Sequence, residues 1–265
     1  MSDKFDRLDN LLQRLDEWMP KSLTEKDWTS AVAFRWRRKD TLLGKLGYLQ
    51  PVHHISGITF KDLQHIERQT DLIFKNTKHF VEGKPANNVL LTGARGTGKS
   101  SLIKASLNEF APQGLRLVEV DKEHLTDLGD ITDLLAGRSE KFIIFCDDLS
   151  FEDGESGYKS LKSALDGSIS AQVDNILIYA TSNRRHLLPE YMKDNLTYTH
   201  TDDGEVHPGE VIEEKISLSE RFGLWVSFYP FTQDEYLTIV NQWLSALGVS
   251  PDLLETARPQ ALVWA

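Results

Sequence analysis

A single cysteine, Cys146, leaves the 265-residue chain without an internal disulfide framework or a cysteine-based zinc site. The eight histidines form no HExxH or HxxxH pair, so histidine metal chemistry has no foothold either. No stretch approaches the roughly 18 consecutive apolar residues of a membrane span. The opening MSDKFDRLDN alternates charges where a signal peptide would carry an apolar segment. Together these absences predict a cytoplasmic protein with no membrane partner. Internal repeats and low-complexity tracts are also missing.

Positive charge is in deficit as well. The formal net charge of −10 disfavours broad nucleic-acid binding, which needs clustered Lys and Arg to neutralise phosphates. One local exception gathers Arg35, Arg37, Arg38 and Lys39 beside Trp28, Phe34 and Trp36. Two readings are open: a grip for a phosphate backbone or acidic partner, and, preferred, a helix whose Arg stems cover a Trp-lined core face. Nucleic acid as a partner is therefore open but not favoured.

What is present is an ordinary globular composition, 40% hydrophobic and 26% charged. Phe5, Leu8, Leu11, Leu12, Leu15 and Trp18 recur at helical steps over residues 4–19, and Pro20 ends that pattern. A second helix is expected over residues 27–39, giving a helical N-terminal segment over residues 1–54. Leu63, Ile66, Leu72, Ile73 and Phe80 predict a long helix stopped near Gly83 and Pro85. Apolar runs of strand length follow at Asn88–Thr92, Leu115–Val120, Phe142–Cys146 and Asn175–Ala180, separated by helical stretches. That alternation predicts a parallel sheet covered on both faces. Residues 197–220 turn acidic, with Asp202, Asp203, Glu205, Glu210, Glu213 and Glu214, and read as an exposed insertion or hairpin. Leu224–Phe228 reads as a further strand and Asp234–Leu247 as a further helix. An α/β core over residues 55–231 and a partial helical lid over 232–265 complete the expected organisation.

Gly93-Ala94-Arg95-Gly96-Thr97-Gly98-Lys99-Ser100 fits the Walker A pattern G-x-x-x-x-G-K-[ST], and Ser101 continues it into a helix. It follows an apolar strand, as the chemistry requires. The glycines let successive backbone N–H groups face phosphates, and the helix N-terminus adds partial positive charge. Lys99 would reach the β- and γ-phosphates of ATP and Ser100 would ligate Mg²⁺. The bland alternative is a Gly-rich turn with a solvated lysine.

Phe142–Cys146 runs into Asp147 and Asp148, a Walker B pattern whose carboxylate would sit beside the P-loop serine. Asp147 is the candidate magnesium ligand with Ser100. Asp148 occupies the place of the base that polarises the attacking water; being one methylene shorter than glutamate, it shares the candidacy with Glu152. Its bland alternative is a strand-end cap. Thr181-Ser182-Asn183 ends the strand Ile176–Ala180; Asn183 is a candidate for orienting that water, or simply a turn former. In Ser217-Leu-Ser-Glu-Arg221-Phe-Gly223, Arg221 is a candidate arginine finger, which would act on a neighbouring subunit's nucleotide and imply a homo-oligomer. Otherwise it is a surface Arg paired with Glu213 or Glu220.

The order of these boxes resembles AAA+ ATPases. Several phrases are similar to the bacterial AAA+ family catalogued as domain of unknown function 815: Pro85-Ala-Asn-Asn-Val89, Gly93–Ser101, Phe145-Cys-Asp-Asp-Leu-Ser-Phe-Glu152, Thr181-Ser-Asn-Arg-Arg-His186, Glu213–Trp225 and Phe228-Tyr-Pro-Phe231. The resemblance implies an αβα P-loop sandwich with a helical lid, and residues near Leu63, His65 and Ile66 lining an adenine pocket. It implies ATP or ADP as ligand with Mg²⁺, an oligomer and an unidentified protein partner, with no substrate named. It also implies that the chain stops short of an Arg- and Gly-rich lid helix bearing a sensor arginine. Nucleotide binding is then expected to survive, with hydrolysis and lid closure impaired. The leading expectation is an ATPase that remodels a protein or nucleoprotein. Behind it stand a nucleotide-dependent binding switch, a P-loop kinase (lacking the Arg-rich closing segment such enzymes carry) and a DNA-associated loader or initiator.

Overall fold

Successive residues of the central strands point alternately into two separate apolar cores, and this alternation fixes the architecture. The computed structural model describes residues 19–20, 23–41, 44–151, 155–166, 174–184, 187, 199–200, 206–207 and 220–264. Its main sheet has seven strands: β1 (Ala33–Thr41), β2 (Gly44–Pro51), β3 (Val89–Gly93), β4 (Leu115–Glu119), β5 (Lys141–Cys146), β6 (Ile176–Ser182) and β9 (Leu224–Phe228), in spatial order β2-β1-β4-β5-β6-β3-β9. All neighbours are parallel except the β1–β2 hairpin at one edge. Two short strands, β7 (Thr199–His200) and β8 (Val206–His207), pair antiparallel apart from it. They fall in the stretch expected to be an insertion or hairpin, whose acidic residues lie outside the described ones.

On one face Val89 and Leu91, Ile143 and Phe145, and Leu177 and Tyr179 pack with Ile73 and Phe80 of α2 (Glu67–Val81) and with Leu102, Ile103, Leu107 and Phe110 of α3 (Lys99–Phe110). On the other face Leu90, Ile144 and Ile178 meet Leu128, Ile131 and Leu135 of α4 (Leu128–Leu135) and Tyr158 and Leu161 of α5 (Ser156–Asp166). Both faces are dry, which is why these strands read as continuous apolar runs. The result is the three-layer α/β sandwich of P-loop proteins. After β9, α6 (Gln233–Ala246), opened by a Thr232/Glu235 capping box, packs on α7 (Pro251–Trp264), and Tyr236 Oη donates to Ala261 O at 3.1 Å. Among the described residues no helix is long and apolar enough to cross a membrane.

Two expectations need correction. Residues 27–39 are not one helix: a short α1 (Glu25–Ser30) is followed by β1, which joins the main sheet beside β4. Phe34 and Trp36 point into the core while Arg35 and Arg37 point the other way, a period of two that only a strand supports. Trp36 pairs with Leu49 across the hairpin, and Gly47 leaves room for its ring, since a Cβ there would lie 2.0 Å from Trp36 Cζ2. The three arginines of the basic cluster are paired with acids at the end of β4 and in the connection after it: Arg35 with Glu119, Arg37 with Asp121 and Arg38 with Asp127. Secondly, α2 begins at Glu67, leaving Leu63 and Ile66 in the preceding connection. His65 sits there at φ 61°, its N–H donating to the Glu67 carboxylate at 3.1 Å, a geometry no continuous helix allows. The helix expected over residues 4–19 lies outside the described residues, except Met19.

Candidate functional site

The P-loop is a strand, a left-handed turn and a helix start. Gly93, Gly96 and Gly98 adopt φ of 126°, 74° and 89°. Gly93 also packs against β9, where a Cβ would lie 1.9 Å from Phe228 O, so glycine is required twice over. Gly98 is the N-cap of α3, leaving first-turn N–H groups at the loop mouth.

Lys99 follows, and it is not the solvated lysine of the bland alternative: it is 6% exposed. Its ammonium donates to Gly93 O at 2.9 Å, Ala94 O at 2.7 Å and Asn183 Oδ1 at 3.0 Å. Burial lowers its pKa below the ordinary lysine value, with Asp148 and Asp147 pulling the other way and Arg95 adding to the lowering. The charge is held inside a cleft, short of anionic partners.

β6 lies between β3 and β5, the arrangement that carries the tip of an inserted strand to the loop. Ser100 Oγ donates to Asp147 Oδ1 at 2.6 Å, and the Thr181 hydroxyl donates to the same oxygen at 2.5 Å. Thr181 Oγ1 in turn accepts from the Asp148 N–H at 2.8 Å. Asp148 takes φ 50°, an uncommon conformation for a non-glycine residue, and its carboxylate accepts from Asn183 Nδ2. A hydroxyl and a carboxylate oxygen side by side form the small hard-oxygen donor set that magnesium uses beside phosphates and waters. Ser100 and Asp147 fit such an ion. No group of three or more His, Cys, Asp or Glu suited to a metal occurs among the described residues.

These groups share one cleft of about 510 Å³, a size suited to a small molecule. Arg95 to Ser101, Asp147, Asp148, Thr181 and Asn183 line it. Of the segment expected at an adenine pocket, Leu63 and Ile66 line the cleft; His65 does not, its ring instead lying 6.4 Å from that of Phe231. Arg221 does not line it. Its guanidinium pairs with Asp166 at the end of α5; Glu213, one of its expected partners, lies outside the described residues. Glu152, the second candidate base, lies outside the described residues. The sequence reading missed Gln64, Phe231, Ile239 and Trp243, all of which line the cleft. Gln64 sits between two residues already singled out. Ile239 and Trp243 carried no local signal, since their place at the cleft depends on how α6 folds back.

Comparisons with known proteins agree with this geometry. The family model described as Protein of unknown function (DUF815) matches residues 29–265. No curated protein matches the sequence. Among solved structures, a chain of the HORMA:CdnC:Trip13 complex from E. coli MS115-1 superposes with a TM-score of 0.50 at 12% identity, over 75% of this chain and 74% of that one. The Thermotoga maritima RuvB Holliday junction branch migration motor superposes with a TM-score of 0.48 at 16% identity, over 72% of this chain and 54% of that one. The chain thus spans about half the length of that RuvB. At such identities the likeness is one of fold alone. With the family model matching nearly the whole chain, this protein belongs to the DUF815 family, and its fold is an α/β sandwich of the P-loop kind.

Proposed function

We propose that the chain is an ATPase that binds ATP with Mg²⁺ in the P-loop cleft and hydrolyses it, working as an oligomer that remodels a protein or nucleoprotein partner. The observation that carries this reading is the meeting of Lys99, Ser100, Asp147, Asp148 and Asn183 in one cleft, drawn from two strand ends and one helix start. In this reading the backbone N–H groups of Gly96 to Ser101 cradle the phosphates. Lys99 exchanges its carbonyl partners for phosphate oxygens and neutralises charge on them. Bound magnesium would supply charge neutralisation for the phosphates.

Ser100 and Asp147 would hold that ion. Asp148, fixed by Thr181 through its N–H and by Asn183 through its carboxylate, takes a proton from the attacking water, and Asn183 orients it. Arg221, outside its own cleft, acts on the nucleotide of a neighbouring copy after leaving Asp166. A nucleotide-dependent switch with little turnover is the second reading, favoured by the short Asp148 side chain at the position of the base. The neutralised Arg35, Arg37 and Arg38 weigh against a DNA-binding role for that strand.

Calorimetric titration with ATP and Mg²⁺ tests the first step. The parent chain is expected to bind, and Lys99→Ala to lose roughly tenfold or more in affinity, the worth of a charge-assisted contact. Equal binding by the two would overturn the assignment of the cleft.

A further inference from the structure

β5 and β6 leave their shared ladder at the site itself. Cys146 is the last residue of β5 in register with β6, level with Ala180. Beyond it the chain turns out of the sheet, with Asp148 at φ 50°. There the tip of β6 takes over the hydrogen bonding. Thr181 O accepts from the Leu149 N–H at 2.7 Å, and Ser182 Oγ donates to Leu149 O at 2.7 Å. The Thr181 hydroxyl serves both acids at once, donating to Asp147 Oδ1 at 2.5 Å and accepting from the Asp148 N–H at 2.8 Å.

A hydroxyl has one proton to give, and this one is given to Asp147. Thr181 is only 1% exposed, so water has little access to replace the group if it is removed. A left-handed conformation at a residue with a side chain is costly and persists where its surroundings fix it. At Asp148 those surroundings include the Thr181 hydroxyl on its N–H and Asn183 on its carboxylate. Asp147 Oδ1 has a second donor in Ser100 Oγ, at 2.6 Å. One chain of bonds therefore runs from the phosphate loop through Asp147 and Thr181 to the backbone of Asp148.

We infer that Thr181 is a positioning residue that couples the two acids, its hydroxyl orienting the Asp147 carboxylate for the ion and holding Asp148, through its N–H, in place for the attacking water. The inference rests on the ATPase reading above. Thr181 touches neither nucleotide nor water in this role; it acts through Asp147 and Asp148. The methyl group has no part in it. One consequence separates Thr181 from its neighbours. Loss of either carboxylate disturbs one function, ion binding or proton transfer, whereas loss of this one hydroxyl disturbs both together.

Two pairs of full-length chains isolate the hydroxyl: the parent against Thr181→Val, which keeps the branched shape, and Thr181→Ser against Thr181→Ala, which both lack the methyl. Each is assayed for steady-state ATP hydrolysis and for calorimetric ATP binding with Mg²⁺ and in EDTA. Thr181→Val is expected to lower kcat about tenfold or more with KM within about threefold, the scale of one buried hydrogen bond to a charged group. Its ATP affinity is expected to respond to EDTA by less than about threefold, against about tenfold in the parent. Thr181→Ser is expected to stay within about threefold of the parent in both readouts, and Thr181→Ala to fall with Thr181→Val. If Thr181→Val folds poorly, the Ser and Ala variants decide alone. Parent-like values without the hydroxyl, or equal losses in Thr181→Ser and Thr181→Ala, overturn the role of Thr181, while ATP binding that Lys99→Ala abolishes leaves the nucleotide site standing. A loss in one readout alone overturns the coupling. If the parent binds ATP without turning it over, the hold on Asp148 falls with the catalytic reading and the EDTA response judges the hold on Asp147. A parent that binds no ATP overturns the nucleotide reading together with this inference.

Discussion

Ser100 Oγ, at the start of the helix that follows β3, donates to Asp147 Oδ1, just past β5, at 2.6 Å although β6 separates those two strands. The registers explain the meeting: Leu90 and Cys146 both lie level with Ala180, so the ends of the three strands arrive together. Thr181, at the tip of the middle strand, then bonds to Asp147 from its own side. If this pair holds magnesium, Asp147→Asn should uncouple nucleotide affinity from the ion. Chelation by EDTA is expected to weaken ATP binding to the parent by about tenfold and to leave the variant nearly unchanged. Equal sensitivity of both to EDTA would remove Asp147 from the ion site.

Asp148 and Asn183 are expected to affect turnover more than binding. Asp148→Asn should lower steady-state hydrolysis by about a hundredfold or more, the usual worth of a general base, with ATP affinity changed by less than about threefold. Glu152→Gln, assayed beside it, decides between the two carboxylates. A large loss in the Glu152 variant with a small one in the Asp148 variant would reverse the assignment.

Gly93 and Gly96 should respond differently to the same substitution. Gly93→Ala drives a methyl into Phe228 O at 1.9 Å, against backbone that cannot yield, and strains φ 126° as well. Urea unfolding is expected to show a loss above about 2 kcal/mol. Gly96→Ala meets nothing within 4 Å and bears the strain of φ 74° alone, so about 1 kcal/mol is expected. Similar losses at both sites would contradict the close packing of β3 on β9.

The edge hairpin has a pH-dependent anchor. Asp127 accepts from Arg38 and, at 2.8 Å, from the Nε1–H of the buried Trp36. The Arg38 hydrogen bond, against the opposing effect of burial and with help from Trp36, holds its carboxyl below the ordinary value of 3.8. A depressed folded pKa means that the stabilisation is complete above about 3.8 and fades as pH falls through the lower folded value. Asp127→Asn is therefore expected to cost about 1–2 kcal/mol in urea unfolding at pH 7, discounted because Arg38 keeps 32% side-chain exposure. The gap to the parent should narrow below pH 4. A gap unchanged between pH 7 and pH 3 would show that the carboxylate charge plays no part.

Much of this was legible in the residues because local chemistry decided it. The Walker A glycines demand positive φ, and the apolar runs at β3, β4, β5 and β6 demand burial on both faces, so the loop, its strand and its helix read directly. Asp147 was legible from the strand that precedes it. The β1–β2 hairpin was not, because Phe34 and Trp36 alternate with arginines whose partners Glu119, Asp121 and Asp127 lie far along the chain. Read locally, aromatic residues beside arginines fit a helix face equally well. The role of Thr181 was hidden for a similar reason: its hydroxyl meets Asp147 and Asp148 only once β6 lies beside β5. The pairing of Arg221 with Asp166 was not legible, because it depends on α5 being brought near β9 by the fold.

Steady-state ATP hydrolysis as a function of protein concentration, for the parent, Lys99→Ala and Arg221→Ala, tests the central proposal most directly. An oligomeric ATPase predicts specific activity that rises with concentration, absent in Lys99→Ala and strongly reduced in Arg221→Ala, with ATP binding preserved only in the latter. A rate that stays at the Lys99→Ala background at every concentration, despite tight ATP binding, would contradict catalysis and leave the nucleotide-dependent switch.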